Sequence, residues 1–432
     1  MEELNLYILT SNCARNLIDI DLVAAHFFDV LPSSSPAPEL IMLSLQELAP
    51  IAYSFLGGSY LLPYFDAFIK AVKKATAKQW NESYVNLVKD HTGMTGLMVF
   101  ARADIVDRIS CIDTAHVGFG LQDMGNKGAV SARLKYAVEG PTSQAADLTF
   151  VAAHLAPMED GLAKRNLDWQ KGDSQTDEST SLLNERPNAS SHTIFAPNSH
   201  LFLAGDLNYR TSDVSPLKGD AIRFPKRNAD PSSPSHYSHL LQEDQLSREM
   251  RAGRAFQGLS EAPITFPPTY KFSDAAQQAA RRALETGDSD TEWKWSSHRW
   301  PSWCDRILYL DNASSRDPGE GAAQRTVKPV VYDALPLFPH SDHRPVVLAV
   351  SVALGPSDHM AGDANGVSET KTVAPFAIDP TWRSRRDAAR RKEIVVGVLA
   401  YLGLTWEGNG MVLASVVGLV GAWVVLRSMW GM

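Results

Sequence analysis

Short apolar runs, each closing on polar side chains, recur along this chain. Residues 4–9 (LNLYIL), 40–45 (LIMLSL), 96–102 (GLMVFAR), 127–136, 148–154 (LTFVAAH) and 306–310 have the length and residue content of buried strands. So do 345–352 (PVVLAVSV) and the start of HLFLAGDLNYR at 200–210. Helical spacing predicts helices over 18–30, 60–80 and 159–169, the last basic in its middle. A charged helix followed by a loop is expected over 275–289, and 223–258 reads as mixed polar and helical. The stretches 32–38 (PSSSPAP) and 171–199 read as loops, and 355–372 as a polar linker. Strands and helices mix without a strict βαβ rhythm, which predicts an α+β fold: a sandwich of mixed sheets covered by helices.

Composition adds little to that outline and charge adds one exclusion. The chain has 432 residues, 44% hydrophobic and 21% charged, ample for a large core. Its net charge of −8 argues against a generally basic nucleic-acid-binding surface, so no nucleic-acid partner is expected. Cys13, Cys111 and Cys304 are few and far apart, which fits a reducing compartment better than a disulfide framework. The N-terminus carries no secretory signal pattern.

The polar residues that end the strands form a chemical set. Asn12 follows the first strand, Gln46 and Glu47 the second, and His154 the run at 148–154. Asp206 and Asn208 stand two apart after Gly205, so in an extended chain they face the same side. Trp303-Cys304-Asp305-Arg306 and Ser341-Asp342-His343-Arg344 precede the last two predicted strands. Singly, each passes for a solvated strand end or a turn. Six on one sheet could converge on one edge. Glu47 is a hard oxygen donor suited to Mg²⁺. Asp206 can act as a base, His343 and His154 can meet phosphoryl charge, and Asp305 can fix a histidine tautomer. No reactive Ser or Cys context stands out, which favours direct attack by water.

Five strings in order sharpen this: GNKGAV (125–130), FLAGDLNYR (202–210), PTYKF (268–272), PSWCDRIL (301–308) and SDHRPV (341–346). Over roughly residues 4–353 the chain resembles the endonuclease/exonuclease/phosphatase superfamily, and within it the inositol polyphosphate 5-phosphatases. The resemblance implies a four-layer αββα sandwich of two mixed sheets. It implies that Glu47 is the principal Mg²⁺ ligand with Asn12 beside it. Asp206 then activates the attacking water, and Asn208 orients water and phosphate. His343 is held by Asp305 and stabilises the phosphoryl group, Asp342 supports the metal or water site, and His154 contacts the scissile phosphate. Asn126, Lys127 and Arg306 fall among its substrate-binding positions. Lys164, Arg165 and Asn166, with Tyr270 and Lys271, match the clamp for a neighbouring ring phosphate. The implied substrate is a phosphoinositide carrying 4- and 5-phosphates. Soluble inositol phosphates, a nuclease or sphingomyelinase activity, and an inactive membrane-anchored scaffold are the rival readings.

The tail suggests where this chemistry takes place. A basic run at 383–392 (RSRRDAARRK) precedes apolar stretches at 394–406 and 411–426, split by Glu407-Gly408-Asn409-Gly410. A simple span needs about 20 apolar residues. Either a hairpin or a single second span is expected, with the basic run cytosolic and drawn to anionic lipid. The division expected is a catalytic domain over 1–354, a flexible linker with the basic run over 355–393, and a membrane anchor over 394–427. A C-terminal anchor with a cytosolic catalytic domain points to the endoplasmic reticulum. Nothing in the sequence sets the oligomeric state.

Overall fold

The computed structural model describes residues 2–138, 144–175, 199–287, 293–310, 327–354 and 381–431. Its strands in chain order are β1 (Glu2–Asn12), β2 (Leu40–Gln46), β3 (Tyr84–Thr92), β4 (Thr95–Arg102), β5 (Ile109–Gly118) and β6 (Gly128–Val138). β7 (Gln144–His154), β8 (Ser199–Asp206), β9 (Leu259–Glu261), β10 (Asp305–Leu310), β11 (Val327–Ala334) and β12 (Val346–Leu354) follow. The helices are α1 (Ile20–His26), α2 (Ile51–Leu56), α3 (Leu62–Trp80), α4 (Leu162–Gln175), α5 (Ser238–Gln242) and α6 (Gln245–Arg251). Then come α7 (Asp274–Thr286), α8 (Trp382–Leu404) and α9 (Trp406–Met429).

The strands form two six-stranded sheets, ordered β11-β12-β1-β2-β4-β3 and β5-β6-β7-β8-β10-β9. Each is mixed. In the first, β1 and β2 are parallel and every other neighbour is antiparallel. In the second, β7 and β8 are the parallel pair. The strands that sequence missed, β3, β5, β9 and β11, are the edges of both sheets. An edge strand is half solvated, so its sequence carries no continuous apolar run.

Alternation along the inner strands builds three cores. Leu6 and Ile8 of β1 face the opposing sheet, where Leu148, Phe150 and Phe202 meet them. Tyr7 and Leu9, one residue out of phase, face outward onto α1 and α3 with Phe65, Phe68 and Val72. On the far side, Val151, Leu201 and Leu203 pack under Trp169 of α4 and Leu246 of α6. Helix, sheet, sheet, helix is therefore the layer order, as the resemblance implied. α4 extends through Gln175, so helix occupies the first residues of the loop expected at 171–199. Residues 176–198 of that loop and the expected linker at 355–372 lie outside the described residues, while Ser199 already belongs to β8.

The tail departs from expectation. The basic run is not linker. It forms the first half of α8, which packs against α2. The chain breaks at Thr405, whose side chain caps α9 by accepting from Gly408 N at 3.0 Å. Glu407–Gly410 thus lie inside the first turns of α9 and do not divide two apolar segments. Among the described residues, α9 alone is long and apolar enough to cross a membrane.

Phe150 and Phe202 stack across neighbouring strands at 5.9 Å, both fully buried between the sheets. Phe150→Ala is expected to cost about 3–5 kcal/mol. Urea unfolding should show this as a lower midpoint at an unchanged m-value.

Candidate active site

Strand register gathers the polar ends on one rim. Asn12 pairs with Gln46 across the parallel β1–β2 ladder. His154 pairs with Asp206 across β7–β8, and Asp305 with Asp206 across β10–β8. His343 lies three residues before β12, whose first residue Val346 pairs with Thr10 near the end of β1. The turns leaving this rim are tight. Ala14, Arg15, Glu47 and Asn208 take φ of 47°, 67°, 45° and 58°, the left-handed region that non-glycine residues seldom adopt. Backbone bonds hold them there: Cys13 N donates to Gln46 O and Arg15 N to Glu47 O, both at 2.7 Å. Strain of this kind persists where surrounding structure over-determines it.

Asp206 is the centre of the site. Asn12 Nδ2 reaches from the other sheet to donate to its Oδ2 at 3.0 Å, and His154 Nε2 lies 3.3 Å from the same oxygen. Asn208 N donates to Oδ1 at 3.1 Å. Burial opposes ionisation of this carboxyl, but the hydrogen bond from His154 and the positive charge of its neighbours prevail, holding it well below the usual carboxylate range. Burial and the adjacent Lys127 cation push His154 down, so its imidazole is neutral at pH 7. Lys127 contacts the His154 ring and lies 3.7 Å from Glu47 Oε1.

The other half of the rim carries a cation. His343 Nδ1 bonds Asp305 Oδ2 at 2.9 Å, and Thr269 Oγ1 donates to the same oxygen at 2.7 Å. Burial opposes protonation of His343, yet the charge of Asp305 raises it to about 9. Asp342 Oδ1 lies 4.0 Å from His343 Nε2, and Lys271 pairs with Asp342. The Tyr270 ring packs 4.5 Å from the His343 ring.

The donor set accommodates a divalent cation. Asp206, Asp305 and His343 offer atoms within 4.8 Å of one another, but a protonated His343 has no lone pair to give. The hard oxygen donors are Glu47 and Asn12, with Asp206 adjoining. Arg15 and Lys127, at 3.2 and 3.7 Å, supply positive charge to the Glu47 carboxylate. Asp305 Oδ1 is buried without a hydrogen-bond partner, a further unused acceptor. Such a set suits Mg²⁺ or Ca²⁺ better than a soft metal.

The structure thus brings Asn12, Glu47, Lys127, His154, Asp206 and Asn208 to one rim with Asp305, Asp342 and His343. Tyr270 and Lys271 border it. Asn126 precedes Lys127, its side chain turned against Gly120. Three expected substrate contacts are corrected. Arg306 is fully buried and bonds Asp244 and Glu261, away from the rim. Arg165 is also fully buried. It donates to Met158 O and to Gln245 Oε1, both at 2.6 Å. Asn166 is spent on Glu249 and Tyr209. Of that trio Lys164 alone keeps an exposed side chain, bonded to Asp168.

Sequence reasoning also missed residues that set the geometry. Arg210 donates to the Asn208 side chain and lies over the Tyr270 ring at 4.5 Å. Ser341 Oγ donates to Asn12 O at 2.6 Å, tying the His343 turn to β1. Arg210, Ser341 and Thr269 lie inside or beside the quoted strings, which was the available signal.

Comparison with known proteins gives the family. The model of endonuclease/exonuclease/phosphatase family 2 matches residues 9–349, and the chain belongs to that family. Its relatives within the family are inositol polyphosphate 5-phosphatases. It is 32% identical over 295 residues to type II inositol polyphosphate 5-phosphatase 15 of Arabidopsis thaliana, covering 61% of this chain and 24% of that protein. It is 28% identical over 315 residues to polyphosphatidylinositol phosphatase INP53 of Saccharomyces cerevisiae, covering 72% of this chain and 23% of that one. The chain therefore spans about a quarter of these curated relatives. In fold it is similar to the inositol polyphosphate 5-phosphatase domain of SPsynaptojanin, solved with inositol (1,4)-bisphosphate and calcium. The TM-score is 0.59 at 21% identity, covering 91% of this chain and 90% of that one.

The Asp305–His343 pair gives a direct test. His343 should titrate near pH 9 by NMR of its ring protons. Its folded value lies above the ordinary one, so it stabilises the fold at low pH and that contribution is lost as pH rises through 9. In Asp305→Asn the midpoint should fall back toward the ordinary histidine range of about 6.5.

Proposed function

We propose that this chain hydrolyses the 5-phosphate of phosphatidylinositol 4,5-bisphosphate and related phosphoinositides, with Mg²⁺, at a cytosolic membrane face. The observation that carries the reading is the placement of Asp206: it is buried on the rim, 3.3 Å from His154 Nε2, and offers an oxygen within 4.8 Å of atoms of His343 and Asp305. That the relatives include inositol polyphosphate and polyphosphatidylinositol phosphatases supports the substrate class. The calcium and inositol bisphosphate of the solved neighbour support a metal and a phosphorylated ring.

Glu47 and Asn12 would hold the ion, with Asp206 close by. When bound, Mg²⁺ supplies charge neutralisation at the phosphate oxygens and the leaving inositol oxygen. The chain's own residues do the rest. Asp206 orients the attacking water and takes its proton. The arriving phosphate is anionic and raises the basicity of that carboxylate. Water attacks phosphorus in line, the bond to the ring oxygen breaks, that oxygen takes up a proton from bulk water, and Asp206 returns its own proton to solvent. His343 and Lys127 steady the spreading phosphoryl charge, where most phosphoryl-transfer catalysis lies. Lys271 and Tyr270 border the same rim and would meet a 4-phosphate.

Release of phosphate across a phosphoinositide panel tests this. Asp206→Asn should lower kcat by about 10²–10⁴-fold with Mg²⁺ present. In the same panel Lys271→Ala should weaken the 4,5-bisphosphate more than a substrate lacking the 4-phosphate. Equal rates for wild type and Asp206→Asn would defeat the reading.

The tail completes the proposal. Residues 1–354 form the catalytic domain, and the anchor reduces to α9, which could hold the rim beside lipid at the endoplasmic reticulum. α9 is 24 residues long, and an apolar stretch of 18 residues within it is wholly unburied. Tethering raises the local concentration of a lipid substrate. Full-length chain should sediment with membranes, and removal of residues 406–432 should release it. Full-length chain in the soluble pool would instead favour soluble inositol polyphosphates as substrates.

A further inference from the structure

We infer that Glu393, on the tail helix α8, is a positioning residue for the substrate mouth. It rests on the reading of this rim as a phosphatase site. Glu393 is fully buried although it lies at the end of a basic run. Its Oε1 accepts from Gly125 N at 2.8 Å. Gly125 opens the GNKGAV string, two residues before Lys127, which contacts His154 and Glu47.

The peptide at Gly125 is gripped from both sides. Its carbonyl accepts from Met94 N at 2.9 Å, and its N–H goes to Glu393. A Cβ at Gly125 would stand 2.8 Å from Gly93 N, so β-hairpin backbone closes over it. Without Glu393 a buried N–H would lose its acceptor, which a folded chain seldom tolerates. The carboxylate is held in turn by Arg386 Nη1 at 2.6 Å and Arg390 Nη1 at 3.2 Å.

Other contacts seat the helix. Arg390 also donates to Phe55 O and Leu56 O, at 2.7 and 3.2 Å, capping the last carbonyls of α2. Arg385 Nη2 pairs with Asp123 at 3.0 Å, in the same mouth loop as Gly125. Gly397 lets α8 approach α2: a Cβ there would meet Phe55 Cβ at 3.0 Å. The helix that precedes α9 is thus bolted to the loop carrying Lys127. The tail acts on substrate binding even for a substrate that touches no membrane.

The test uses full-length chain in detergent and soluble inositol 1,4,5-trisphosphate. Glu393→Ala should raise KM about tenfold with a smaller change in kcat. Hydrogen exchange at the Gly125 amide should accelerate while the β7 and β8 amides stay protected. Glu393→Gln keeps an oxygen acceptor and should restore most of both. Arg391→Ala, on the exposed side of α8, should match wild type. Unchanged Gly125 exchange in Glu393→Ala, or an unchanged KM, would overturn the inference. Equal loss in Glu393→Gln would also overturn it, by assigning the effect to charge alone. If wild-type chain releases no phosphate, the phosphatase reading fails, whereas the exchange data still decide whether Glu393 holds the loop.

Discussion

The molecule depends on one carboxylate kept ionised where two sheets meet. Asp206 is 2% exposed. Removing such a charge from water costs several kcal/mol unless partners compensate. The compensation comes from both layers: Asn12 from one sheet, His154 from the other, with Lys127 and His343 supplying positive charge. Ser44 Oγ makes a second cross-sheet bond nearby, to Ala204 O at 2.7 Å. A slip of one residue in either ladder would turn Asn12 or Asp206 to the opposite face and leave the charge unpaired. The packing of the two sheets and the chemistry of the rim are therefore one constraint.

Topology explains why the rim holds so many functional groups. Both sheets share one ladder pattern, with a parallel pair in the middle and antiparallel neighbours outside. Parallel strands end at the same edge, so β1, β2, β7 and β8 deliver Asn12, Gln46 and Glu47, His154, and Asp206 together. Antiparallel neighbours begin where those strands end, so β10 and β12 add Asp305 and the His343 turn. The two halves differ in charge. The β8 carboxylate is held ionised, and the histidine of the turn before β12 is held protonated by a carboxylate of its own. A transferring phosphoryl group needs both, a proton acceptor on one side and fixed positive charge on the other.

Much of this was legible in sequence, for a physical reason. Inner strands are buried on both faces and read as apolar runs. Edge strands such as β3 (YVNLVKDHT) and β11 (VKPVVYDA) are half solvated and do not. Asp206, Glu47 and His343 were legible because each ends or adjoins an apolar run. Arg306 and Arg165 misled because an arginine in a motif looks the same whether it meets a phosphate or an internal carboxylate. Arg306 goes to Asp244 and Glu261, and Arg165 to carbonyls. Partner identity is a tertiary fact, and periodicity does not carry it.

The basic run in the tail makes the same point with a larger consequence. As sequence, RSRRDAARRK reads as a lipid-facing charge cluster. In the fold its arginines divide by helical face. Arg385, Arg386 and Arg390 turn to Asp123, Glu393 and the α2 carbonyls, while Arg391 and Lys392 stay exposed. Three residues separate Arg390 from Glu393 and four separate Arg386 from Arg390, the spacing that puts side chains on one helical face. Glu393 is the one acidic residue in the run from 388 to 406. Glu393, which follows five arginines and Asp387, has no role in attracting anionic lipid. It makes sense once the helix must bury that face against a backbone N–H.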